Sequence, residues 1–284
     1  MAKLEPLQVG VMFWTGGVLG VDASPKQIVS MVTGLGVTCG QLGVHGEGDI
    51  GPAGQAAWKQ ALDEAGLTLN TVFASFKGES YADVPTVERT VGYVPAATRQ
   101  EREQRTREIS RFAKALGAPG IAAHIGFVSE DHSDPDYIAV RDMMRRICDD
   151  CAQNGQTFAL ETGQEPATVL RDFIQDVGRP NLKVNFDPAN MILYGSGEPI
   201  EALDVVAPWL VSVHCKDGTW PKQKGVFGEE TPLGQGDVGM DRYVAKLKEV
   251  GYSGPLTIER EITGAAQRDD ILQAIALLER LRKA

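Results

Sequence analysis

Eight short apolar runs rich in β-branched residues alternate with eight longer stretches of helical period along 284 residues, and no linker or low-complexity segment separates them. Alternation of that kind predicts an α/β protein with a parallel sheet. Eight such repeats without a boundary predict that the sheet closes on itself, as a single (β/α)₈ (TIM) barrel over residues 1–284. A barrel of this type needs about 250 residues, so the length is sufficient. An open doubly wound sheet would carry a glycine-rich nucleotide fingerprint after its first strand, and VMFWTGGVLG (11–20) does not match one.

The expected strands are QVGVMFW (8–14), VTCGQLGV (37–44), LTLNTVFASF (67–76), GIAAHIGFV (120–128), TFALET (157–162), LKVNFDP (182–188), LVSVHCKD (210–217) and PLTIERE (255–261). The expected helices cover 24–36, 56–66, 98–117, 134–155, 166–178, 198–208, 240–251 and 267–281. Ser24 followed by Pro25 is an N-terminal helix signal, and Gly66, Gly117 and Gly251 stop helices just before the next strand.

The formal net charge is −10, from 28 basic and 38 acidic residues, which argues against nucleic-acid backbone binding. The N-terminal segment shows no secretory pattern, and no window approaches 18 consecutive apolar residues, so a cytoplasmic chain without a membrane partner is expected. Four cysteines are too few and too scattered for a disulfide framework. Cys148 and Cys151 form a CxxC inside a helical stretch, with no second CxxC or histidine pair to complete a zinc site.

In this fold the active site lies at the C-terminal ends of the strands. Strand five ends on Glu161, strand six on Asp187, strand seven on His214 and then Lys216, and strand eight on Glu259. Alternate residues face the interior, so an inward Glu161 brings Ala159 with it, His214 brings Ser212 and Lys216, and Glu259 brings Thr257. Three carboxylates so close together repel unless a cation or a proton relieves them. Three carboxylates and one imidazole form a mostly oxygen site suited to a single divalent ion, Mn²⁺ first, with Mg²⁺, Co²⁺ or Zn²⁺ as alternatives.

The motifs ALETGQE, NFDPAN, SVHCKDG, PLGQGDVG and LTIERE resemble the xylose isomerase-like barrels of the sugar phosphate isomerase/epimerase family, which includes ketose 3-epimerases. The resemblance covers essentially the whole chain and implies metal ligation by Glu161, Asp187, His214 and Glu259. It also implies that Glu161 and Glu259 act as an acid/base pair across a small keto-sugar or polyol. The implied chemistry is epimerisation or isomerisation through an enediolate, in a protein that often forms homo-oligomers. Elimination on the same scaffold, from a keto-inositol or a 3-keto-glycoside, stays open, as does a sugar-binding barrel without catalysis.

The chain departs from the pattern in places. Ketose 3-epimerases commonly carry a histidine where this chain has Asn190, and an arginine where it offers Lys216 and Lys222. The resemblance to barrel endonucleases fails on the extra histidines their zinc cluster needs, since only His45, His124, His132 and His214 are present. His124, Glu165, Asn190, Lys216 and Trp14 are the expected substrate contacts, with a helix cap as the alternative role for Glu165. The long 218–236 connection reads as either a lid carrying Trp220 and Phe227 or a surface excursion. The glycine turn at 234–239 reads as a tight turn whose backbone N–H groups offer a phosphate nest.

Overall fold

The computed structural model describes residues 4–16, 23–45, 50–223 and 225–284. Residues 1–3 of the N-terminal segment and residues 17–20 of VMFWTGGVLG lie outside the described residues. Seven parallel strands follow one another around a barrel: β1 (Val9–Trp14), β2 (Cys39–Val44), β3 (Thr68–Ala74), β4 (Gly120–His124), β5 (Thr157–Glu161), β6 (Leu182–Phe186) and β7 (Leu210–Cys215). A small antiparallel pair, β8 (Asp217–Thr219) and β9 (Glu229–Thr231), leaves the rim after β7. The last strand, β10 (Leu256–Ile258), closes the ring between β7 and β1. The fold is therefore the closed eight-stranded parallel barrel that the alternation predicts.

Ten helices are described: α1 (Pro25–Thr33), α2 (Pro52–Ala65), α3 (Val84–Thr90), α4 (Arg99–Leu116), α5 (Pro135–Gln153), α6 (Ala167–Val177), α7 (Pro188–Tyr194), α8 (Pro199–Val206), α9 (Met240–Glu249) and α10 (Ala265–Leu281). Ser24 caps α1 in a reciprocal box with Gln27, and Pro25 occupies the first turn where no N–H is needed. Gly66 and Gly117 end α2 and α4 in the left-handed conformation, returning the chain to the next strand.

Several boundaries differ from expectation, among them the last strand, which stops at Ile258 so that Glu259 follows it. Strand four stops at His124, short of residue 128, and α2 begins at Pro52, before residue 56. Strand six stops at Phe186, because Asp187 at once caps α7 by accepting the Asn190 N–H at 2.9 Å. The 218–236 connection contains the hairpin strand β9, and α3 fills a stretch for which no helix is predicted. Short local sequences carry little periodicity, so their structure comes from tertiary packing. Among the described residues no helix is long and apolar enough to cross a membrane.

The main apolar core lies between the strands and the helical layer, where Val11, Leu42, Val72, Ile121, Phe158, Val184, Val213 and Ile258 are buried. Cys148 and Cys151 sit in that layer as buried free thiols, and burial pushes both thiols up, away from the reactive thiolate. Inside the barrel a separate apolar group, Met12, Phe73, Ala122 and Ala159, packs with Trp14. Opposite it the filling is polar. Gln41 on β2 donates to Asn185 on β6 at 3.2 Å, and these strands are not neighbours, so the bond crosses the interior. The barrel thus has one apolar and one hydrogen-bonded side.

Candidate metal centre and active site

The polar side of the interior is built in layers. Ser212 on β7 donates to Asn185 Oδ1 at 2.5 Å, and a register shift in the β6–β7 pairing sets Asn185 opposite Ser212. Gln41 Nε2 also reaches Thr257 on β10 at 3.5 Å. These residues are fully buried or nearly so, and each has a partner, as buried polar groups require. Asn185 Nδ2 donates upward to Glu161 Oε1 at 3.2 Å, and Gln41 Oε1 lies 3.2 Å from His214 Nε2.

Gln41 Oε1 accepts from Nε2 in the tautomer that turns the Nδ1 lone pair toward the rim, and Asn185 Nδ2 also lies 3.3 Å from Nε2. Around Nδ1 stand Glu161 Oε1 at 2.6 Å, Glu259 Oε2 at 3.3 Å and Asp187 Oδ2 at 3.5 Å. One ligand atom from each of the four residues fits within 4.8 Å of the others. Asp187 Oδ2 is buried without a hydrogen-bond partner, and the neighbours of His214 Nδ1 on that side are carboxylate oxygens. Such a concentration of buried lone pairs is costly unless something satisfies them, and a divalent cation would do so. The residues present therefore fit a metal, and the orienting bond from Gln41 is the kind of support that metal-bound histidines receive.

The electrostatics agree. Burial alone would lower the His214 imidazole, yet Glu259 and Glu161 outweigh it and hold its affinity for a proton well above the usual range. A positive charge is thus strongly favoured where the four groups meet, and a metal ion would compete with a proton for that place. Burial would raise the Glu161 carboxyl, but His124 and His214 hold it far below the usual carboxylate range. Burial likewise opposes the charged form of His124, yet Glu161 at 2.8 Å raises it to about 9.

The expected substrate contacts gather on the rim. Lys216 is almost fully buried, and its Nζ lies 3.2 Å from Glu259, 3.2 Å from Asn190 Oδ1 and 2.5 Å from Glu261. Burial would lower this ammonium, but Glu261, Glu259 and Asp187 raise it well above the ordinary lysine range. His124 packs edge-on to Phe73, whose ring lies 6.1 Å from both His214 and Trp14. Trp14 stacks on His45 at 4.7 Å and walls the apolar side. Glu165 is buried, and neither carboxylate oxygen has a partner. It does not cap α6, whose N-cap is Pro166 without a side-chain bond, and burial pushes its carboxyl up to about 8. Lys222 does not reach the site; it is exposed and pairs with Glu229 at 3.3 Å.

Several rim residues escape sequence reasoning. Tyr81, from the connection before α3, lies 5.7 Å ring to ring from His124. Gln164 Nε2 bridges His124 Nδ1 at 3.3 Å and the Tyr194 hydroxyl at 3.4 Å, and Phe227 packs on Tyr194 at 4.9 Å. Gln41 and Asn185 did leave a signal, as lone polar residues at inward positions of apolar strands. Tyr81 left none, because its loop returns to the site only in three dimensions.

A family model described as the xylose isomerase-like TIM barrel matches residues 32–281. The chain belongs to this family. A xylose isomerase domain protein from Planctomyces limnophilus shares 43% identity over 98% of both chains, with a TM-score of 0.88. An uncharacterized protein from Methanocaldococcus jannaschii is 28% identical over 123 residues, 43% of this chain and 40% of its own length. The match therefore spans about two-fifths of that curated relative. More distant barrels share the fold: 3-keto-D-glucoside 4-epimerase from Escherichia coli aligns at 16% identity over 96% of this chain and 99% of its own, with a TM-score of 0.70. A probable 3-DHS dehydratase from Bacillus anthracis aligns at 15% identity over 95% and 99%, with a TM-score of 0.69.

Proposed function

We propose that the chain is a divalent-metal-dependent isomerase or epimerase, carried by one barrel, that moves a proton on a small keto-sugar or related polyol. The observation that carries this reading is the buried group of Glu161, Asp187, His214 and Glu259, in which Asp187 Oδ2 lacks any hydrogen-bond partner. Family membership and the epimerase among the barrels of like fold support it. A divalent cation held by the four side chains would polarise a carbonyl group of the substrate, with Mn²⁺ the first choice for so oxygen-rich a set.

The residues of the chain do the rest. Glu161, kept anionic by the two imidazoles, is the base that takes a proton from the carbon beside the carbonyl. Glu259, 3.2 Å from Lys216 Nζ, is its partner: it takes up a proton from solvent and delivers it to carbon, while the proton on Glu161 is released to solvent. Delivery to the same carbon from the other face inverts it, and delivery to the neighbouring carbon exchanges ketose for aldose. Asn190, Lys216 and His124 bind hydroxyls, while Trp14 and Phe73 cover an apolar face of the substrate.

Elimination is the second reading, and Glu165 is the observation that favours it. A carboxyl pushed up to about 8 still carries its proton at neutral pH and could protonate a departing hydroxyl or aglycone. Incubating the Mn²⁺-loaded protein with a panel of ketoses and keto-inositols in D₂O, followed by NMR, tests both. Deuterium at an inverted or isomerised carbon is expected. Loss of water or aglycone would move the assignment to a lyase, and no exchange on any substrate would leave only a binding role.

A further inference from the structure

Phosphate sites in (β/α)₈ barrels are commonly built by the loops after strands seven and eight together with a helix N-terminus. In this chain that place is the glycine turn before α9, and it is already filled. Asp217, the first residue of β8, is buried, and its carboxylate collects four backbone N–H groups. Oδ1 accepts from Gly218 at 2.9 Å and Val238 at 3.2 Å, and Oδ2 accepts from Gly234 at 2.9 Å and Gly236 at 3.1 Å. Converging N–H groups of this kind form an anion-binding concavity. The turn closes directly onto the carboxylate: a Cβ at Gly236 would meet Asp217 Oδ1 at 2.3 Å.

Most cations of the surrounding loops are also taken up by carboxylates, with Arg242 of α9 lying against Gly239 at the end of the turn. Among the described residues of the loops after β7 and β10, Lys216 faces Glu259 and Glu261, Lys222 faces Glu229, and Arg260 sits between Glu230 and Asp270 at 2.9 Å from each. The rim around Lys216 adds Glu230 and Glu261 to the carboxylates of the centre, so a dianionic substituent would meet repulsion there.

We infer that Asp217 is a resident anion occupying the barrel's phosphate position, and that it sets the specificity of the site toward unphosphorylated, electrically neutral substrates. This rests on the keto-sugar reading for the substrate, but the occupied turn can be tested without it. The same carboxylate holds the β8–β9 hairpin and the start of α9 together, so Asp217 positions the rim as well as excluding phosphate.

The test compares metal-loaded wild type with Asp217→Ala by calorimetry and thermal melting in inorganic phosphate and in an equal ionic strength of chloride. Wild type is expected to show no saturable phosphate binding. The variant is expected to melt lower and to be restored by phosphate, binding it at least about tenfold more tightly than wild type. Saturable phosphate binding by wild type, or a folded variant that no phosphate stabilises, would overturn the assignment. Should the variant fail to fold, C–H exchange by wild type on D-fructose and D-fructose 6-phosphate decides. Faster exchange on the free sugar is expected, and faster exchange on the phosphate ester would overturn it. Exchange on neither sugar, nor on any other ketose, would count against the keto-sugar reading while the phosphate result on wild type still judges Asp217.

Discussion

Glu161→Gln is expected to slow substrate C–H exchange by about 10²- to 10⁴-fold at saturating metal, the span of a lost general base. The amide keeps the shape of the side chain and an oxygen that can accept from Asn185 Nδ2, so the barrel interior stays hydrogen-bonded. What disappears is the carboxylate that His124 and His214 hold in its anionic form, at 2.8 Å and 2.6 Å. Metal must be kept saturating because the variant also removes one negative charge from the ligand set. Glu259→Gln is expected to cost about as much, and the two variants should differ in which face of the carbon still exchanges. Single-turnover exchange followed by NMR, with metal bound stoichiometrically, checks this. Unchanged exchange in Glu161→Gln would remove it from the chemistry.

The second large effect concerns Glu165 and the pH dependence of stability. Its carboxyl rises to about 8 in the folded chain because it is buried with no partner for either oxygen. In the unfolded chain it titrates at about 4.3. Between those values the folded state holds a proton that the unfolded state releases. Its contribution is therefore fully present below about pH 4.3 and is lost progressively as pH rises through about 8. The whole interval is worth about 5 kcal/mol. Glu165→Gln carries no such proton. Relative to wild type it is expected to gain stability with rising pH, by roughly 5–10 °C in melting temperature at pH 8 and above. Calorimetry from pH 5 to pH 9 measures the difference between the two proteins, which cancels groups common to both. A parallel pair of profiles would show that Glu165 is not held protonated. A gain in stability with a loss of turnover is what a group kept for function at the expense of the fold would show.

The barrel and its centre were legible in the sequence for one geometric reason. Parallel strands all finish at the same rim, so acids and a histidine closing four successive apolar runs must meet there. Glu161, Asp187, His214 and Glu259 do meet, within 4.8 Å. Lys216 was legible by parity with His214 two residues earlier. The orienting pair Gln41 and Asn185 was harder to read, because a polar residue inside a strand looks the same whether it faces the barrel or solvent. The rim residues Tyr81 and Glu230 were not legible, since nothing local reports that Glu230 accepts the Glu261 N–H at 3.1 Å. Asp217 was visible only as the residue after Lys216, and the four N–H groups it collects come from three separate points of the chain's return. The 218–236 connection, read as a lid or a surface excursion, contains a hairpin held at its base by that one carboxylate.

Metal content per chain, measured by inductively coupled plasma mass spectrometry after incubation with Mn²⁺, Mg²⁺, Co²⁺ and Zn²⁺ and removal of the excess, tests the central claim most directly. One divalent ion per chain is expected in wild type, with substoichiometric or weak retention in His214→Ala and Glu259→Gln. Wild type that retains no ion, or variants that retain it as well as wild type, would contradict the metal centre and return the four side chains to structural roles.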